Sequence, residues 1–353
     1  MAPETELLLK HFRSAKASSA LIFNCPDALS ASLIAKHMAG TGTVFHNSDF
    51  SAHLSIQHAV GRTDPGMEST FGPWYAPRPP GHDACALYLP RERAAVEMSL
   101  TMLAGAVRPG AELWLVGRLR AGARAFRSLI EKTFGATARA HTGRHSVLYH
   151  VLSPSTEPAL ASADRWTQTY AFDFLGHSVS VVSLPGVFSH GRLDPGTNML
   201  MGGLTRPPRP TARILDFGCG AGTIGAALKL GWPRCHIDMI DRSALALEAS
   251  SRTLAANGLT TDNLWPSDTF SHIRERYDLI VSNPPFHDGI RTDHSVAEKL
   301  VREAPDHLRP GGKLRIVANR FLRYAPLLKA SLGTTQVLTE DGAYRVIEAT
   351  RKR

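Results

Sequence analysis

The chain has 353 residues, of which 43% are hydrophobic and 20% are charged. This composition is ordinary for a globular protein and excludes a wholly disordered chain, a collagen and a coiled coil. The sequence contains no run of 18 apolar residues, and acidic residues stand near its start where an export signal has basic ones. We therefore expect no membrane span and no secretory signal, and we place the protein in the cytoplasm.

The charge balance is basic, with 40 Lys and Arg against 31 Asp and Glu, and 31 of the 40 are Arg. Because the planar Arg side chain suits phosphate, nucleic acid is a plausible partner. A GC-rich genome also favours Arg codons, so composition alone does not decide between the two explanations. No two of the four cysteines have C-x-x-C spacing. This spacing suggests neither a zinc ribbon nor a thioredoxin site, and we predict no metal site.

A small, polar stretch with two prolines, from Leu152 to Asp164, lacks a sustained apolar period and is typical of a linker. It predicts a first domain over 1–155, a linker over 156–165 and a second domain over 166–353.

The two halves of the sequence look related. Arg108-Pro-Gly-Ala-Glu-Leu-Trp-Leu-Val116 matches Arg309-Pro-Gly-Gly-Lys-Leu-Arg-Ile-Val317, which begins 201 residues later. Arg144 and Arg345, in a second pair of similar segments, are also 201 residues apart. The repeated spacing favours a duplicated core, although a helix followed by R-P-G-G and a strand is common in α/β proteins.

Strand and helix signals alternate along the second half. We predict strands over 213–217, 236–240, 277–282 and 314–318, and helices over 223–230, 243–257, 292–308 and 323–332. Ser243 is a good helix N-cap and Gly258 a good helix stop. This order predicts an α/β fold with a parallel sheet covered by helices on both faces, and ligands in such sheets bind beyond the carboxyl ends of the strands.

The first strand of the second half leads into the glycine-rich loop Asp216-Phe-Gly218-Cys-Gly220-Ala-Gly222. A dinucleotide loop has the pattern G-x-G-x-x-G, whereas here the third glycine comes one residue early. D-x-G-x-G-x-G is the pattern of S-adenosylmethionine loops, whose glycines let the backbone approach the ligand closely. We expect Asp216 to help hold the cationic end of that cofactor, and Cys219 to contribute packing or its backbone rather than a nucleophile.

Two further carboxylates are candidates for cofactor contacts. Asp241 ends the second predicted strand, 21 residues after Gly220, where a carboxylate can accept hydrogen bonds from both ribose hydroxyls. Nicotinamide enzymes share this feature, so Asp241 alone does not discriminate. Asp268 follows the expected third strand and could meet the adenine amino group, although Asp262 is a nearby alternative.

The chemistry is predicted to lie in Asn283-Pro284-Pro285-Phe286, which follows the fourth strand directly. Two prolines fix the backbone after Asn283, as a preorganised site requires. The exocyclic amine of a base is a poor nucleophile because its lone pair is delocalised into the ring. Hydrogen bonds from that amine to the Asn283 oxygen and the Pro284 carbonyl would favour a pyramidal nitrogen, and Phe286 could stack on a base held out of its helix.

With these motifs, the chain resembles the bacterial ribosomal RNA small subunit methyltransferase C family, which are class I S-adenosylmethionine-dependent enzymes of the N-P-P-F type. The resemblance also extends to the following segments: Gly186-Val-Phe-Ser-His-Gly-Arg-Leu-Asp-Pro-Gly-Thr197, Thr253-Leu-Ala-Ala-Asn-Gly258, His287-Asp-Gly289 and Leu314-Arg-Ile-Val-Ala-Asn319. It implies methylation of a guanine 2-amino group in 16S rRNA, two tandem Rossmann-like methyltransferase domains, and a cofactor-edge turn at Gly196 and Thr197. The expected partner is 16S rRNA or the 30S subunit, and the expected state is a monomer.

The resemblance further implies that the N-terminal domain is degenerate, holds no cofactor and supports RNA binding. The residues of that half agree, because Cys25-Pro-Asp27 follows its first strand and Tyr88-Leu-Pro-Arg91 stands where the second half has Asn-Pro-Pro-Phe. RNA phosphates are predicted to be contacted by a basic cluster and by one residue of the second half: Arg118, Arg120, Arg124, Arg127 and Arg192. A solvated helix face is the plainer explanation of the cluster.

Three alternative functions remain open from the sequence. A methyltransferase of 23S rRNA would differ in sequence from one of 16S rRNA only in the neighbourhood of 287–289. A protein glutamine methyltransferase also uses an N-P-P motif, but usually has Tyr in place of Phe286. A non-catalytic RNA-binding assembly factor is disfavoured by the intact Asn283 and loop glycines.

Overall fold

The computed structural model describes residues 1–12, 17–61, 66–76, 81–135, 138–154, 163–260, 263–284, 294–322 and 324–352. The chain divides into two compact units, Met1–Thr167 and Gln168–Arg353. Of the predicted linker, residues 163–165 are described, and they belong to a short 3-10 helix, Ala163–Trp166, at the end of the first unit. No helix in the described ranges is long and apolar enough to cross a membrane.

The first unit is an α/β sheet with helices packed against it. Its helices are α1 (Pro3–His11), α2 (Ala28–His37), α3 (Phe50–Val60), α4 (Arg93–Ala106) and α5 (Arg127–Phe134). Its strands are β1 (Ser19–Phe23), β2 (Gly42–Asn47), β3 (Met67–Phe71), β4 (His82–Tyr88), β5 (Val107–Arg118), β6 (Arg139–Gly143) and β7 (Ser146–Leu152). Over the described residues they form one sheet in the order β3-β2-β1-β4-β5-β7-β6, in which β7 is antiparallel to both β5 and β6.

The second unit begins with a hairpin and then repeats this architecture. Its helices are α6 (Pro195–Gly202), α7 (Thr223–Gly231), α8 (Ala244–Ala256), α9 (His294–His307) and α10 (Tyr324–Ser331). Its strands are β8 (Gln168–Phe174), β9 (His177–Ser183), β10 (Arg213–Phe217), β11 (His236–Asp241), β12 (Leu264–Pro266), β13 (Tyr277–Ser282), β14 (Leu308–Asn319), β15 (Gly333–Glu340) and β16 (Tyr344–Arg351). β8 pairs with β9, and the rest form a sheet in the order β12-β11-β10-β13-β14-β16-β15.

The predicted duplication of an α/β core is confirmed by the equal strand order of the two sheets. β5 begins at Val107 and β14 at Leu308, 201 residues later, as the R-P-G motif predicts. The pairing of Arg144 with Arg345 is wrong, because the registers place Ser146 opposite Arg118 and Tyr344 opposite Asn319. The paired residues are 28 positions apart in the first unit and 25 in the second, which shifts the correspondence by three residues.

The central parallel strands are buried on both faces, as parallel strands between helices must be. In β1, Leu21 and Phe23 join one hydrophobic cluster of the first unit, whereas Ala20 and Ile22 join the other. In the second unit, Gly225 lets α7 lie close to β11, because a Cβ there would come within 2.4 Å of the Met239 sulfur.

The predicted elements of the second half all form, and their boundaries shift where packing or hydrogen bonding overrides local signals. Ser243 caps α8 by accepting a hydrogen bond from the Ala246 N–H at 3.3 Å. β14 is longer than predicted and includes the R-P-G-G segment, and α9 continues through Pro305.

Candidate functional site

A cavity of about 290 Å³ opens at the carboxyl ends of β10, β11 and β13 in the second unit. β10 has β11 on one side and β13 on the other, so this is the point at which the strand order reverses and at which open α/β sheets bind ligands. Most of the predicted catalytic and cofactor-binding residues that the structure describes line this cavity: Thr197, Gly218, Cys219, Gly220, Asp241, Asp268, Asn283 and Pro284. Pro285 and Phe286 lie outside the described residues.

The glycine loop presents bare backbone to the cavity. Gly218 and Gly220 have φ angles of +71° and +55°, and a Cβ at either residue would meet no atom within 4 Å. The Gly218 and Cys219 N–H groups both donate to the Ile240 carbonyl at 2.9 Å, which ties the loop to β11. Side chains at these glycines would be strained and would fill the space above the loop, so this surface can accommodate a closely approaching ligand.

Gly222 and Cys219 support the loop. Gly222 does not line the cavity; a Cβ there would lie 3.0 Å from the Ser250 Cα, so only glycine allows α7 to begin at this distance from α8. The Ser250 hydroxyl donates to the Gly220 carbonyl at 2.9 Å, and its oxygen lies 3.3 Å from the Cys219 sulfur. Burial raises the pKa of the Cys219 thiol well above its usual range, so it stays protonated, as a packing residue would and a nucleophile would not.

Asp241 is held by two backbone donors. Its Oδ2 accepts from the Gly220 N–H at 2.9 Å, and its Oδ1 accepts from the Ser243 N–H at 2.8 Å. Burial raises the pKa of this carboxyl. Since each carboxylate oxygen can accept a second hydrogen bond, Asp241 can still bind a pair of hydroxyls in the cavity. Asp268 also lines the cavity, with the Lys299 ammonium 3.9 Å from its Oδ2.

Asp216 is not brought to the cavity wall. It is fully buried beneath the loop, where its Oδ2 accepts from the Gly225 N–H at 2.8 Å and its Oδ1 has no hydrogen-bond partner among the described residues. Burial, reinforced by the nearby Asp241 charge, raises the pKa of Asp216 to about 7. This geometry holds the start of α7 in place, and it supports the predicted contact with a cationic ligand only through the unpartnered Oδ1.

Asn283 has a fixed amide. Its Nδ2 donates to Asp194 Oδ2 at 2.9 Å and to Thr197 Oγ1 at 2.8 Å. Both amide protons are therefore engaged, and Oδ1 is the atom left to face the cavity. Pro284 is buried directly after it and lines the same wall. This arrangement can accept a hydrogen bond from an N–H group in the cavity.

The hairpin that leads into the segment 184–197 is docked by Thr253 of α8 and by Asn257, the residue that follows this helix. Thr253 and Asn257, one helical turn apart, dock β9: the Val182 N–H donates to Thr253 Oγ1 at 2.9 Å, and the Ser180 N–H donates to Asn257 Oδ1 at 3.0 Å. This explains the Thr253–Gly258 motif, which fixes the hairpin from which the segment continues. Gly196 is buried and does not line the cavity. A Cβ at this position would lie 3.1 Å from the Tyr344 ring, so glycine allows α6 to pack closely against that ring.

Several residues of the cavity wall are absent from the predicted site, among them Asp194, Tyr170 and Phe188. Asp194 caps α6 by accepting from the Thr197 N–H at 2.7 Å, and the Asp-Pro pair before a helix is a signal that could have found it. Tyr170 on β8 hydrogen-bonds Thr223 Oγ1 at 3.0 Å, and Phe188 lies on the wall with 65% of its surface exposed. Phe188 lies in the segment 186–197, which carries part of the family resemblance, whereas no local sequence signal marks Tyr170, which the docked hairpin brings to the cavity.

The predicted RNA-binding arginines divide into two groups. Arg118 pairs with Glu4, and Arg127 pairs with Glu131 at 3.0 Å and donates to the Ala138 carbonyl. Arg120 and Arg124 are exposed in the first unit, and neither has an ion pair among the described residues. Arg192 is exposed in the second unit and does not line the cavity.

The first unit has different groups at the corresponding positions of its sheet. By strand register, Tyr88 occupies the place of Asn283, and its hydroxyl is buried against Thr5 Oγ1 at 2.7 Å. Asn47 occupies the place of Asp241, and Asn24, with a φ of +53°, that of Gly218. These replacements remove the amide acceptor, the carboxylate and the bare loop together.

No group of three His, Cys, Asp or Glu side chains within the described part of the chain could hold a metal ion.

Family models match both units: "Methyltransferase small domain N-terminal" over residues 5–170 and "Methyltransferase small domain" over residues 178–348. Together with the same strand order in the two sheets, these matches show two methyltransferase-like domains.

Several relatives are similar over most or all of their length. The chain is 37% identical to a Pseudomonas aeruginosa protein named ribosomal RNA small subunit methyltransferase C, covering 99% of this chain and all of the relative. It is 36% identical to the Aliivibrio fischeri protein of the same name, over 90% of this chain and 89% of that protein. The solved T. thermophilus 16S rRNA N2 G1207 methyltransferase, in complex with AdoMet and guanosine, matches with a TM-score of 0.84 and 27% identity over 99% of this chain and 92% of that one. The chain therefore belongs to the ribosomal RNA small subunit methyltransferase C family.

Proposed function

We propose that this chain transfers a methyl group from S-adenosylmethionine to the exocyclic 2-amino group of a guanine in 16S rRNA. The observation that carries the proposal is that one cavity has both the bare glycine loop and the Asn283-Pro284 pair on its wall. Binding of a methyl donor and acceptance of an amine hydrogen bond are thereby combined in one space. The names of the full-length relatives support the guanine of the small-subunit RNA as the target.

The residues present fit S-adenosylmethionine. The space above Gly218 and Gly220 that a Cβ would fill is left open for the ligand. We assign Asp241 to the ribose hydroxyls and Asp268 to the adenine amino group, while Phe217 and Ile240 give that end of the cavity an apolar wall. When bound, S-adenosylmethionine supplies an electrophilic methyl group on a sulfonium centre.

The contribution of the protein to the reaction is positioning. The Asn283 Oδ1 accepts a hydrogen bond from the guanine amine, and the Pro284 carbonyl is a second acceptor beside it. Two acceptors favour a pyramidal nitrogen, whose lone pair is then available for attack. Fixed acceptors of this kind need no reorganisation during the reaction, and no covalent intermediate with the protein is required. The methylated nitrogen releases its extra proton to water.

The first unit is proposed to support RNA binding rather than catalysis, within the domain boundaries 1–155 and 166–353. Arg120 and Arg124 are its best candidates for phosphate contacts, because their side chains are exposed and lack the internal carboxylate partners that occupy Arg118 and Arg127. We propose that a monomer acts on 16S rRNA or on the 30S subunit. Since ribosomal RNA is the substrate, the cytoplasm is the proposed location.

The proposal is tested with purified protein, radiolabelled S-adenosylmethionine and four substrates: naked 16S rRNA, 30S subunits, 23S rRNA and a glutamine-containing peptide. We expect label in 16S rRNA or in 30S subunits, and N2-methylguanosine in the mass spectrum of the digested nucleosides. Label confined to 23S rRNA or to the peptide would overturn the proposed substrate. Binding of 16S rRNA without transfer to any substrate would indicate a non-catalytic protein.

A further inference from the structure

The orientation of the Asn283 amide is set by two residues of another segment. Asp194 Oδ2 and Thr197 Oγ1 take one Nδ2 proton each, at 2.9 and 2.8 Å. The same Asp194 oxygen accepts from the Thr197 N–H at 2.7 Å, so it joins the start of α6 to the amide. Two hydrogen bonds thus join Asn283 to this helix start, and the third fixes the helix start itself.

The chemistry of these groups allows only one orientation. An ionised carboxylate only accepts hydrogen bonds, so an amide turned by 180° would place its oxygen against Asp194 Oδ2 and lose that bond. In the observed orientation the amide presents an acceptor to the cavity and no donor. A free asparagine would present either its oxygen or its NH₂ group.

We propose that Asp194 and Thr197 are positioning residues that hold Asn283 with its oxygen toward the substrate, so that the site selects a base carrying an N–H donor. This inference rests on the proposed methyl transfer. Without Asp194 and Thr197, the Asn283 amide would spend part of its time with its NH₂ group facing the amine of the base. Methyl transfer would then slow, while the affinity for S-adenosylmethionine would change little.

A competing explanation is that Asp194 acts through its charge on a cationic ligand, since it also lines the cavity. The two explanations differ for Asp194→Asn. An asparagine is a good N-cap, and its oxygen can replace Oδ2 as acceptor for both the Thr197 N–H and Asn283 Nδ2. Positioning therefore survives this substitution, whereas a charge effect does not.

The experiment compares four variants in kcat, in the Kd for S-adenosylmethionine and in melting temperature. We expect kcat to fall about 30-fold or more in Asp194→Ala and about tenfold in Thr197→Val, which keeps the shape and the backbone donor but loses the hydroxyl acceptor. Asp194→Asn should recover kcat to within about threefold of wild type, and Kd should stay within about threefold throughout. Asp49→Ala removes an equivalent N-cap, that of α3, and should lower the melting temperature without changing kcat.

Two results would overturn the inference: Asp194→Asn as slow as Asp194→Ala, or wild-type kcat in Thr197→Val. A readout independent of catalysis is proton exchange of the Asn283 side-chain amide, assigned by its absence from the spectrum of Asn283→Ala. Slow exchange in the wild type and fast exchange in Asp194→Ala supports the inference even if 16S rRNA is not the substrate, and equal rates contradict it.

Discussion

The burial of Asp216 predicts that the stability of the second unit falls as the pH rises. The pKa of Asp216 is about 7 in the folded chain, against an ordinary value of 3.8, and the residue has no exposed surface. Between pH 4 and 7 the folded chain therefore keeps a proton that the unfolded chain has released, so the free energy of unfolding decreases through this window and stays low above pH 7. The difference between these two pKa values corresponds to about 4 kcal/mol.

Calorimetric melting of the wild type and of Asp216→Asn, from pH 4 to pH 8, measures this effect. A loss of about 4 kcal/mol lowers the melting temperature of a unit of this size by about 10 °C. Asparagine can accept from the Gly225 N–H as Asp216 does but does not ionise. We therefore expect the two melting temperatures to separate in favour of the variant as the pH rises. Parallel pH profiles would refute the assignment of a buried, proton-binding carboxyl at this position.

The same variant tests the predicted cofactor contact of Asp216. If this carboxylate faces the cationic end of S-adenosylmethionine, the affinity of the wild type rises as the pH passes through 7, and binding releases a proton to the buffer. Asp216→Asn should then lose this pH dependence. If Asp216 only holds α7 in place, the affinity will follow the same pH course in both proteins.

Three further predictions concern catalysis, cofactor and RNA. Asn283→Ala should lower methyl transfer by about 100-fold or more and leave the calorimetric affinity for S-adenosylmethionine nearly unchanged; a collapse of that affinity would contradict the division of roles. Asp241→Ala removes the acceptor for two backbone donors and for the ribose, so the affinity should fall more than about tenfold, and an unchanged affinity would argue against this contact. Charge reversal of Arg120 and Arg124 should weaken rRNA binding and reduce by about 2 the slope of log affinity against log salt concentration. Charge reversal of Arg302, which is ion-paired with Glu298, should change neither. Equal slopes in the wild type and both variants would show that Arg120 and Arg124 are ordinary solvated residues.

The parts of the site that follow from local sequence could be predicted. The spacing of Gly218 and Gly220 implies a backbone that a ligand can approach, and the prolines after Asn283 imply a rigid turn at a strand end. Asp241 is fixed by its place at the end of β11. Parallel strands bring these three positions to one edge of the sheet, which is why chain order alone placed them together.

The contacts that tune those groups were not predictable. Asp194 is 89 residues from Asn283, and the hydrogen bond between them depends on a hairpin docked by Thr253 and Asn257. The basic cluster shows the same limit, because the ion pair of Arg118 with Glu4 joins residues 114 positions apart. No periodicity or motif indicates such partners.

The linear chain thus determined the two α/β cores, the glycine loop and the position of Asn283 and Pro284 at a strand end, because glycine, proline and strand patterning act over a few residues. Tertiary packing decided that Asp216 lies under the loop, that the Asn283 amide has a single orientation and that Arg120 and Arg124 are left exposed. Burial and hydrogen-bond pairing depend on which distant segments meet, and these determine the charge state and direction of each polar group.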